Sequence, residues 1–236
     1  KVSNNVNITV RKGEVVGLSG LMGSGRTELA MSIFGHAYGT RISGKAYKNG
    51  NEVDISTIDK AIEAGIAYAT EDRKVYGLVL IQEVKNNITL ANLEEISTRQ
   101  VINEPQEMRV TSEYRDKLNI KCSSIQQLAL NLSGGNQQKV VLSKWLFAGP
   151  DILILDEPTR GIDVGAKYEI YTIINRLASE GKGIVVISSE LPEILGVCDR
   201  IYVMREGKIV GEMPASEASQ EKVMKYIMTQ QEVVEQ

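Results

Sequence analysis

The chain has little of what marks metal centres, disulfide scaffolds or nucleic-acid surfaces. It has two cysteines and one histidine in 236 residues, and Cys122 and Cys198 lie far apart without metal-ligand spacing. Acidic residues exceed basic ones by 30 − 27 = 3, so no broad cationic field is available to a nucleic-acid backbone. No apolar run reaches the roughly 18–20 residues that a membrane helix needs. We therefore expect a soluble intracellular protein with reduced thiols, no nucleic-acid partner, and His36 in a loop or partly buried position.

Strand and helix signals alternate along the chain, which is typical of an α/β fold. The predicted strands span residues 5–10, 15–19, 66–70, 152–155 and 184–188, with hairpin turns near 48–52 and 206–207. The predicted helices span about 26–34, 58–64, 136–147, 164–179 and 219–229. Residues from about 83 to 147 lean helical as a group. We expect a mostly parallel sheet with helices on it, interrupted by a helical insertion.

A glycine-rich loop follows the second predicted strand. It reads Gly-Leu-Met-Gly-Ser-Gly-Arg-Thr from Gly20 to Thr27, close to the phosphate-loop pattern G-x-x-x-x-G-K-[ST]. Glycines let backbone N–H groups converge on a phosphate, and the next helix adds its positive end. Thr27 is placed to bind Mg²⁺, but Arg26 replaces the usual lysine with a wide planar fork, and Glu28 brings a carboxylate close. The residues that would surround the polyphosphate are Gly20, Gly23, Ser24, Gly25, Arg26, Thr27 and Glu28.

Two adjacent acids end the apolar strand Ile-Leu-Ile-Leu at 152–155. Asp156 would hold Mg²⁺ through water, and Glu157 would polarise the water that attacks the γ-phosphate. The alternative, two acids solvated at a strand end, is less favoured because Pro158 completes the pattern. Together with the glycine loop, these acids predict a nucleotide triphosphatase.

Residues 132–137 identify the class. The segment Leu-Ser-Gly-Gly-Asn-Gln resembles the signature of ABC nucleotide-binding domains, which have a P-loop NTPase core, a small antiparallel β subdomain and an inserted helical subdomain. In that family two domains dimerise head to tail, and the signature of one covers the ATP bound by the other. The resemblance implies ATP and Mg²⁺ as ligands. The signature residues are Leu132, Ser133, Gly134, Gly135, Asn136 and Gln137.

A closer resemblance is to the second ATPase half of bacterial monosaccharide importer subunits of the ribose, galactose, xylose and multiple-sugar type. It is carried by Glu-Asp-Arg-Lys at 71–74, Thr-Arg-Gly-Ile-Asp-Val-Gly-Ala-Lys at 159–167 and Ser-Ser-Glu at 188–190. The resemblance implies that Glu71 stands where most relatives place a Mg²⁺-contacting glutamine. It also implies that Ser189 stands where they place a γ-phosphate-contacting histidine, and that Asp163 communicates across the dimer.

These features lead to a hypothesis about division of labour. Three replacements, at Arg26, Glu71 and Ser189, fall on the chain's own nucleotide site, while the signature keeps the family pattern. We expect the chain to hold ATP weakly at its own site, to lend Ser133–Gly135 to a partner's site, and to show low or no ATPase activity alone. The alternatives are tolerated drift in an active site and a non-catalytic regulatory module. Two other classes of ABC protein have further requirements. Chromosome-maintenance proteins would need a long coiled coil between the phosphate loop and the signature, and translation-associated proteins would need a charged linker between their domains.

The resemblance also implies partners. We expect the whole of residues 1–236 to be one nucleotide-binding domain, with a helical subdomain at about 83–147. The resemblance implies that an N-terminal strand and the adenine-stacking aromatic would precede Lys1. The chain has no initiating Met and reads as a fragment. The implied partners are an N-terminal ATPase half of the same polypeptide, membrane permease subunits, and indirectly a periplasmic sugar-binding protein. The location would be cytoplasmic, peripheral on the inner face of the membrane.

Overall fold

The fold is that of an α/β protein built around one mainly parallel sheet. The structure is a computed structural model, and it describes residues 3–228. Within that range the strands are β1 (Val15–Gly20), β2 (Ala46–Lys48), β3 (Asn51–Val53), β4 (Ile66–Ala69), β5 (Ser97–Thr98), β6 (Val101–Ile102), β7 (Ile152–Asp156), β8 (Gly183–Ile187), β9 (Arg200–Arg205) and β10 (Lys208–Pro214). The α-helices are α1 (Arg26–Ile33), α2 (Ile58–Glu63), α3 (Val84–Thr89), α4 (Glu104–Lys117), α5 (Gly134–Phe147), α6 (Val164–Ser179), α7 (Leu191–Val197) and α8 (Gln220–Met228).

The main sheet has the strand order β10-β9-β1-β8-β7-β4, and only β10 is antiparallel to its neighbour. Its buried strands are apolar on both faces, as a parallel sheet covered by helices requires. In β7, Leu153 and Leu155 point to one buried cluster and Ile154 to the other. Because parallel strands share one carboxyl edge, Gly20, Asp156 and Ser188 meet there. This edge is the usual ligand-binding edge of open α/β sheets.

Helices cover both faces of the sheet. Helices α3, α5, α6, α7 and α8 contribute to the larger cluster, and α1 and α2 contribute to the smaller one. Phe34 and Tyr68 extend the smaller cluster, with ring centroids 5.8 Å apart. None of the helices within residues 3–228 combines the length and the hydropathy of a membrane-spanning segment.

Most predicted elements are confirmed, with small shifts at their ends. Helix α5 begins at Gly134, two residues before its predicted start, because Ser133 takes the N-cap position. The hairpin between β2 and β3 turns through Asn49 and Gly50, which both have positive φ as a two-residue turn requires. Ser219 precedes α8 and accepts a hydrogen bond from Lys222 N at 3.1 Å, as a cap does. The predicted last residue of that helix, Thr229, lies outside the described residues.

One prediction about local structure was wrong. No strand forms at residues 5–10, because side chains take the backbone groups that a ladder would use. Arg200 Nη2 donates to the Thr9 carbonyl at 2.8 Å, and Thr9 N donates to the Tyr202 hydroxyl at 3.2 Å. The helical insertion also contains the short hairpin of β5 and β6, which turns through Arg99 and Gln100 at positive φ.

Candidate nucleotide site and signature region

The phosphate loop, Gly20–Thr27, connects β1 to α1 at the carboxyl edge of the sheet. Gly23 and Gly25 have φ of 79° and 97°, values that favour glycine. A Cβ on Gly23 would meet nothing within 4 Å, so the space outside the loop is open. A Cβ on Gly20 would lie 2.3 Å from the Met204 carbonyl oxygen, so this position needs glycine for close approach. The buried Ser24 hydroxyl has no hydrogen-bond partner in the described structure, and an anion bound in the loop would give it one.

Arg26 is the residue in which the loop departs most from its pattern. Its side chain is buried, and Nη1 donates to the Ser188 carbonyl at 2.6 Å. Its Nη2 lies 4.0 Å from Glu157 Oε1. Burial lowers the pKa of Arg26, and the nearby charges of Glu157, Asp156 and Glu28 oppose that shift. The guanidinium is therefore committed to the ends of β7 and β8, and a bound phosphate would have to compete for it.

Asp156 is buried at the end of β7, where Tyr68 donates a hydrogen bond to its Oδ2 at 2.9 Å. Burial raises the pKa of Asp156, and hydrogen bonds from Tyr68 and Thr27 partly oppose this. Its other oxygen, Oδ1, is buried with no partner in the described structure. That orphaned acceptor and the Thr27 hydroxyl fit a Mg²⁺ site. Within residues 3–228 no cluster of three metal-ligating side chains exists, so Mg²⁺ here would need phosphate and water oxygens as well.

Glu157 adopts a left-handed backbone conformation, with φ of 47°. Such a conformation costs about 1–3 kcal/mol and is concentrated at functional sites. Its N–H donates to the Ile187 carbonyl at 2.8 Å, and Ser189 Oγ donates to its Oε2 at 3.1 Å. Burial raises the pKa of Glu157, while the Ser189 bond and Arg26 lower it. The structure thus brings together Glu157, Ser189, Arg26 and Asp156, which the sequence predicted to share one site.

A buried carboxylate behind this site was not predicted. Glu193 on α7 accepts a hydrogen bond from Thr159 Oγ1 at 2.5 Å, and it also accepts one from the Ser188 hydroxyl. Ser188 Oγ in turn accepts from Glu190 N at 3.0 Å. Glu193 therefore ties the loop after β7 to the end of β8. The only sequence signal was its position on the helix directly after Ser189.

Glu71 and Glu28 were predicted beside the nucleotide. Glu71, two residues beyond β4, forms an ion pair with Arg160 of the loop after Glu157. Glu28 lies in the first turn of α1, and its charge helps to raise the pKa of Asp156. Both acids are therefore near the carboxyl edge of the sheet, and their predicted roles toward ATP and Mg²⁺ stay predictions.

The signature residues stand at the start of α5. Ser133 is exposed at the N-cap, and its Oγ accepts from Asn136 Nδ2 at 2.9 Å instead of from the helix backbone. The backbone N–H groups of the first turn are therefore left for an outside acceptor. Leu132 and Gln137 are buried, and Gln137 Nε2 donates to the Ala129 carbonyl at 3.1 Å. Ser133 is thus the side chain of this segment that is best placed to meet a partner.

Gly134 and Gly135 are needed for packing within the chain itself. A Cβ on Gly135 would lie 2.5 Å from Ala166 Cβ of α6, and a Cβ on Gly134 would lie 2.8 Å from Arg73 Nη2. We predicted that Ser133–Gly135 serve a partner's site, and the structure adds an internal reason for glycine at positions 134 and 135. Asp163 caps α6, accepting from Ala166 N at 2.9 Å, and is itself exposed.

Comparison with known proteins assigns this arrangement to a family. A family model described as ABC transporter matches residues 3–160. The chain belongs to the ABC transporter family.

Named relatives narrow the resemblance. The chain is 61% identical over 235 residues to the L-arabinose transport ATP-binding protein AraG of Geobacillus stearothermophilus, covering 100% of this chain and 46% of that protein. It is 53% identical over 224 residues to the xylose import ATP-binding protein XylG of Thermoanaerobacter pseudethanolicus, covering 95% of this chain and 44% of that protein. It is 52% identical over 223 residues to the ribose import ATP-binding protein RbsA of Clostridium tetani, covering 94% of this chain and 44% of that protein. The chain therefore spans less than half the length of these relatives.

Solved structures share the fold. A nucleotide-free ATP-binding cassette from an ABC transporter superposes with a TM-score of 0.78 at 22% identity, covering 99% of this chain and 91% of that one. A dimeric cassette in a post-hydrolysis state, bound to ADP and Pi, gives a TM-score of 0.74 at 19% identity, covering 91% of this chain and 90% of that one. The predicted fold, with a mostly parallel sheet, small antiparallel pieces and helices, is confirmed.

Proposed function

We propose that the chain is the ATP-binding half of a monosaccharide-importing ABC transporter, coupling ATP binding and hydrolysis in a head-to-tail dimer to sugar uptake. The contrast between a buried, engaged Arg26 and an exposed Ser133 supports this proposal most directly. The named relatives are transport or import proteins for L-arabinose, xylose and ribose, which supports a monosaccharide as the cargo. These proteins do not agree on one sugar, and in our proposal the permease and binding protein select it.

At its own site the chain would hold ATP weakly or statically. ATP would lie in the phosphate loop, and Mg²⁺ would be held by Thr27 and, through water, by Asp156, with Glu71 as a further ligand. Bound Mg²⁺ would neutralise negative charge on the phosphate oxygens. Glu157 would orient the attacking water, and Ser189 holds that carboxylate. Three observations support weak ATP binding at this site: Arg26 donates to a protein carbonyl, Glu71 is paired with Arg160, and Glu28 adds negative charge nearby.

At the partner's site the chain would contribute its signature. The Ser133 hydroxyl and the free N–H groups at the start of α5 would face the γ-phosphate of ATP bound by the partner. Asp163, exposed at the start of α6, would communicate between the two sites. In this proposal, hydrolysis belongs to the pair, and the chain alone turns over ATP slowly or not at all.

The partners follow from the same proposal. The dimer partner would be the N-terminal ATPase half of the same polypeptide, because the chain spans less than half of its relatives' length. Permease subunits would contact the helical subdomain and the 71–80 loop, which exposes Val75, Tyr76 and Val79. A groove of about 630 Å³ beside α3 and α4 adjoins this loop. The complex would lie on the cytoplasmic face of the membrane and serve a periplasmic sugar-binding protein.

A second candidate is a non-catalytic module that binds nucleotide and regulates dimerisation. The engaged Arg26 and the Glu71–Arg160 ion pair favour it, and Glu157 at a strained backbone position argues for retained catalysis. A thermal shift titration with Mg²⁺–ATP, combined with turnover, separates the two. Stabilisation of about 2.7 kcal/mol at 100 times the Kd would show binding. Binding with no loss of turnover in Ser133→Arg would favour the regulatory module.

The central experiment compares two variants of the full-length polypeptide. Ser133→Arg places a bulky cation at the donated surface and should abolish ATP turnover, whereas Arg26→Ala should retain most of it. Ser43→Arg is the matched control, because Ser43 is exposed in the loop before β2 and belongs to neither the phosphate loop nor the signature. Loss of turnover in Arg26→Ala with full turnover in Ser133→Arg would show that the two roles are reversed.

A further inference from the structure

Arg73 lies between two segments that the proposed function treats separately. It begins a single π-helical turn, Arg73–Gly77, after β4, and Asp72 caps that turn by accepting from Lys74 N and Val75 N at 3.0 and 3.1 Å. The cap fixes the backbone from which the Arg73 side chain leaves. That side chain crosses to the loop after β7.

The guanidinium of Arg73 binds two consecutive carbonyls. Nη1 donates to the Arg160 carbonyl at 2.9 Å, and Nη2 lies 3.4 Å from the Gly161 carbonyl at the limit of a hydrogen bond. A planar fork suits such a pair of acceptors, and an ammonium group does not. The side chains of Glu71 and Arg160 form an ion pair between the same two segments.

The same guanidinium also touches the start of α5. A Cβ on Gly134 would lie 2.8 Å from Arg73 Nη2 and 3.1 Å from the Gly161 carbonyl oxygen. A cation at the positive end of a helix is unfavourable unless acceptors surround it, and the two carbonyls supply them. Arg73 Nε is buried with no partner in the described structure. Holding the side chain in this position therefore costs the desolvation free energy of an unsatisfied donor.

We infer that Arg73 is a positioning residue for the signature, setting the Ser133–Gly134 start of α5 against the loop at 160–161. It thereby links the Glu71 segment, which belongs to the chain's own nucleotide site, to the surface offered to the partner. This inference rests on the proposed function for its catalytic consequence. Its structural part stands independently, because the contacts lie within one chain.

The test uses Arg73→Gln in the full-length polypeptide, with Arg41→Gln as a matched control in the exposed loop between α1 and β2. Misplacement of a donated group should lower kcat about 10- to 100-fold while leaving KM within about twofold. Arg73→Lys should recover only part of kcat, since an ammonium cannot bind both carbonyls in the fork geometry. A similar drop in Arg41→Gln, or full recovery by Arg73→Lys, would overturn the inference.

A second measurement does not depend on turnover. The Gln137 N–H donates to the Ser133 carbonyl at 2.9 Å and closes the first turn of α5. Its hydrogen exchange should quicken in Arg73→Gln and stay unchanged in Arg41→Gln. Unchanged exchange in Arg73→Gln would overturn the inference whatever the kinetics show.

A double-mutant cycle checks that Arg73 acts through Gly134. The methyl group of Gly134→Ala collides with Arg73 Nη2, so its effect on Gln137 exchange should be smaller in the Arg73→Gln background. Additive effects would count against the inference. If Ser133→Arg leaves turnover intact while exchange changes as expected, the proposed function fails and the structural inference survives.

Discussion

The phosphate loop and the signature region are both glycine-rich segments at the start of a helix, but they need glycine for different reasons. Gly23 has a left-handed backbone and open space around its Cβ position. Gly135 has ordinary backbone geometry, and a Cβ there would collide with Ala166. The first glycine is a conformational requirement, whereas the second is a packing requirement. The comparison also extends to the charged residues, since the phosphate loop holds a buried cation and the signature presents an exposed hydroxyl.

The largest effect should come from filling the packed glycine. Gly135→Val should lower the free energy of unfolding by about 1–3 kcal/mol, the usual cost of overpacking. Gly23→Asn should cost less, because asparagine tolerates positive φ and the site is open. Urea denaturation of both variants measures this difference. A larger loss in Gly23→Asn would show that the two glycines have been assigned the wrong roles.

Removing the buried cation should come next. Arg26→Met leaves the Ser188 carbonyl without its donor and Glu157 without its cation, and we expect a loss of about 1–2 kcal/mol of unfolding free energy. Arg26→Lys keeps the charge and loses the fork, so its loss should be smaller. We also expect Arg26→Lys to bind Mg²⁺–ATP more tightly in a titration of the chain. Weaker ATP binding by Arg26→Lys than by wild type would contradict the proposal that Arg26 weakens ATP binding at the chain's own site.

A pH titration should distinguish a carboxyl group of the candidate nucleotide site from one in a structural ion pair. Burial raises the pKa of Asp156, so the folded chain holds that proton more tightly than the unfolded chain. Its contribution to stability therefore falls as pH rises through the ordinary carboxyl value, about 4, toward the raised one. The stability of Asp156→Asn relative to wild type should accordingly rise across this window.

Glu14 provides the control of opposite sign. Its hydrogen bond from Arg200 lowers the pKa of Glu14, so its contribution to stability is present above the ordinary carboxyl value and is lost as pH falls through the lowered one. Glu14→Gln should therefore lose stability relative to wild type as pH rises. Chemical denaturation at stepped pH measures both variants, and equal slopes would show that the two carboxyls do not differ as described.

The smallest effect should come from the Glu71–Arg160 ion pair, since both side chains are partly exposed. Arg160→Gln should change the unfolding free energy by less than about 1 kcal/mol. It should free the Glu71 carboxylate, and the Mg²⁺ dependence of ATP binding should become steeper. If that dependence does not change, Glu71 is not a ligand of Mg²⁺.

Much of the fold could be predicted because its strands and helices carry strong local signals. The apolar runs of β1, β7 and β8 are long enough to be recognised, and the turn residues Asn49 and Gly50 identify their hairpin. Residues 5–10 show the limit of this approach. They alternate as a strand does, but Arg200, which is distant in sequence, takes the carbonyl that a neighbouring strand would have used.

The candidate site divides in the same way. Asp156, Glu157 and Ser189 follow strands that were recognised, and parallel strands bring their ends together. The roles of Glu193 and Arg73 could not be found, because they depend on Thr159 and Arg160, which lie 34 and 87 residues away along the chain. A carboxylate on a helix and an arginine in a turn look like ordinary surface residues until the fold encloses them.

The sequence by itself determined the class of protein, because a glycine loop, two acids after a strand and a signature in fixed order are local patterns that define a chemistry. Only the tertiary structure decided that Arg26 is held by the end of β8 and that Gly134 and Gly135 are closed in by Arg73 and Ala166. The physical reason is that a side chain's partners depend on which distant segments fold against it. The residues adjacent in sequence do not specify those segments.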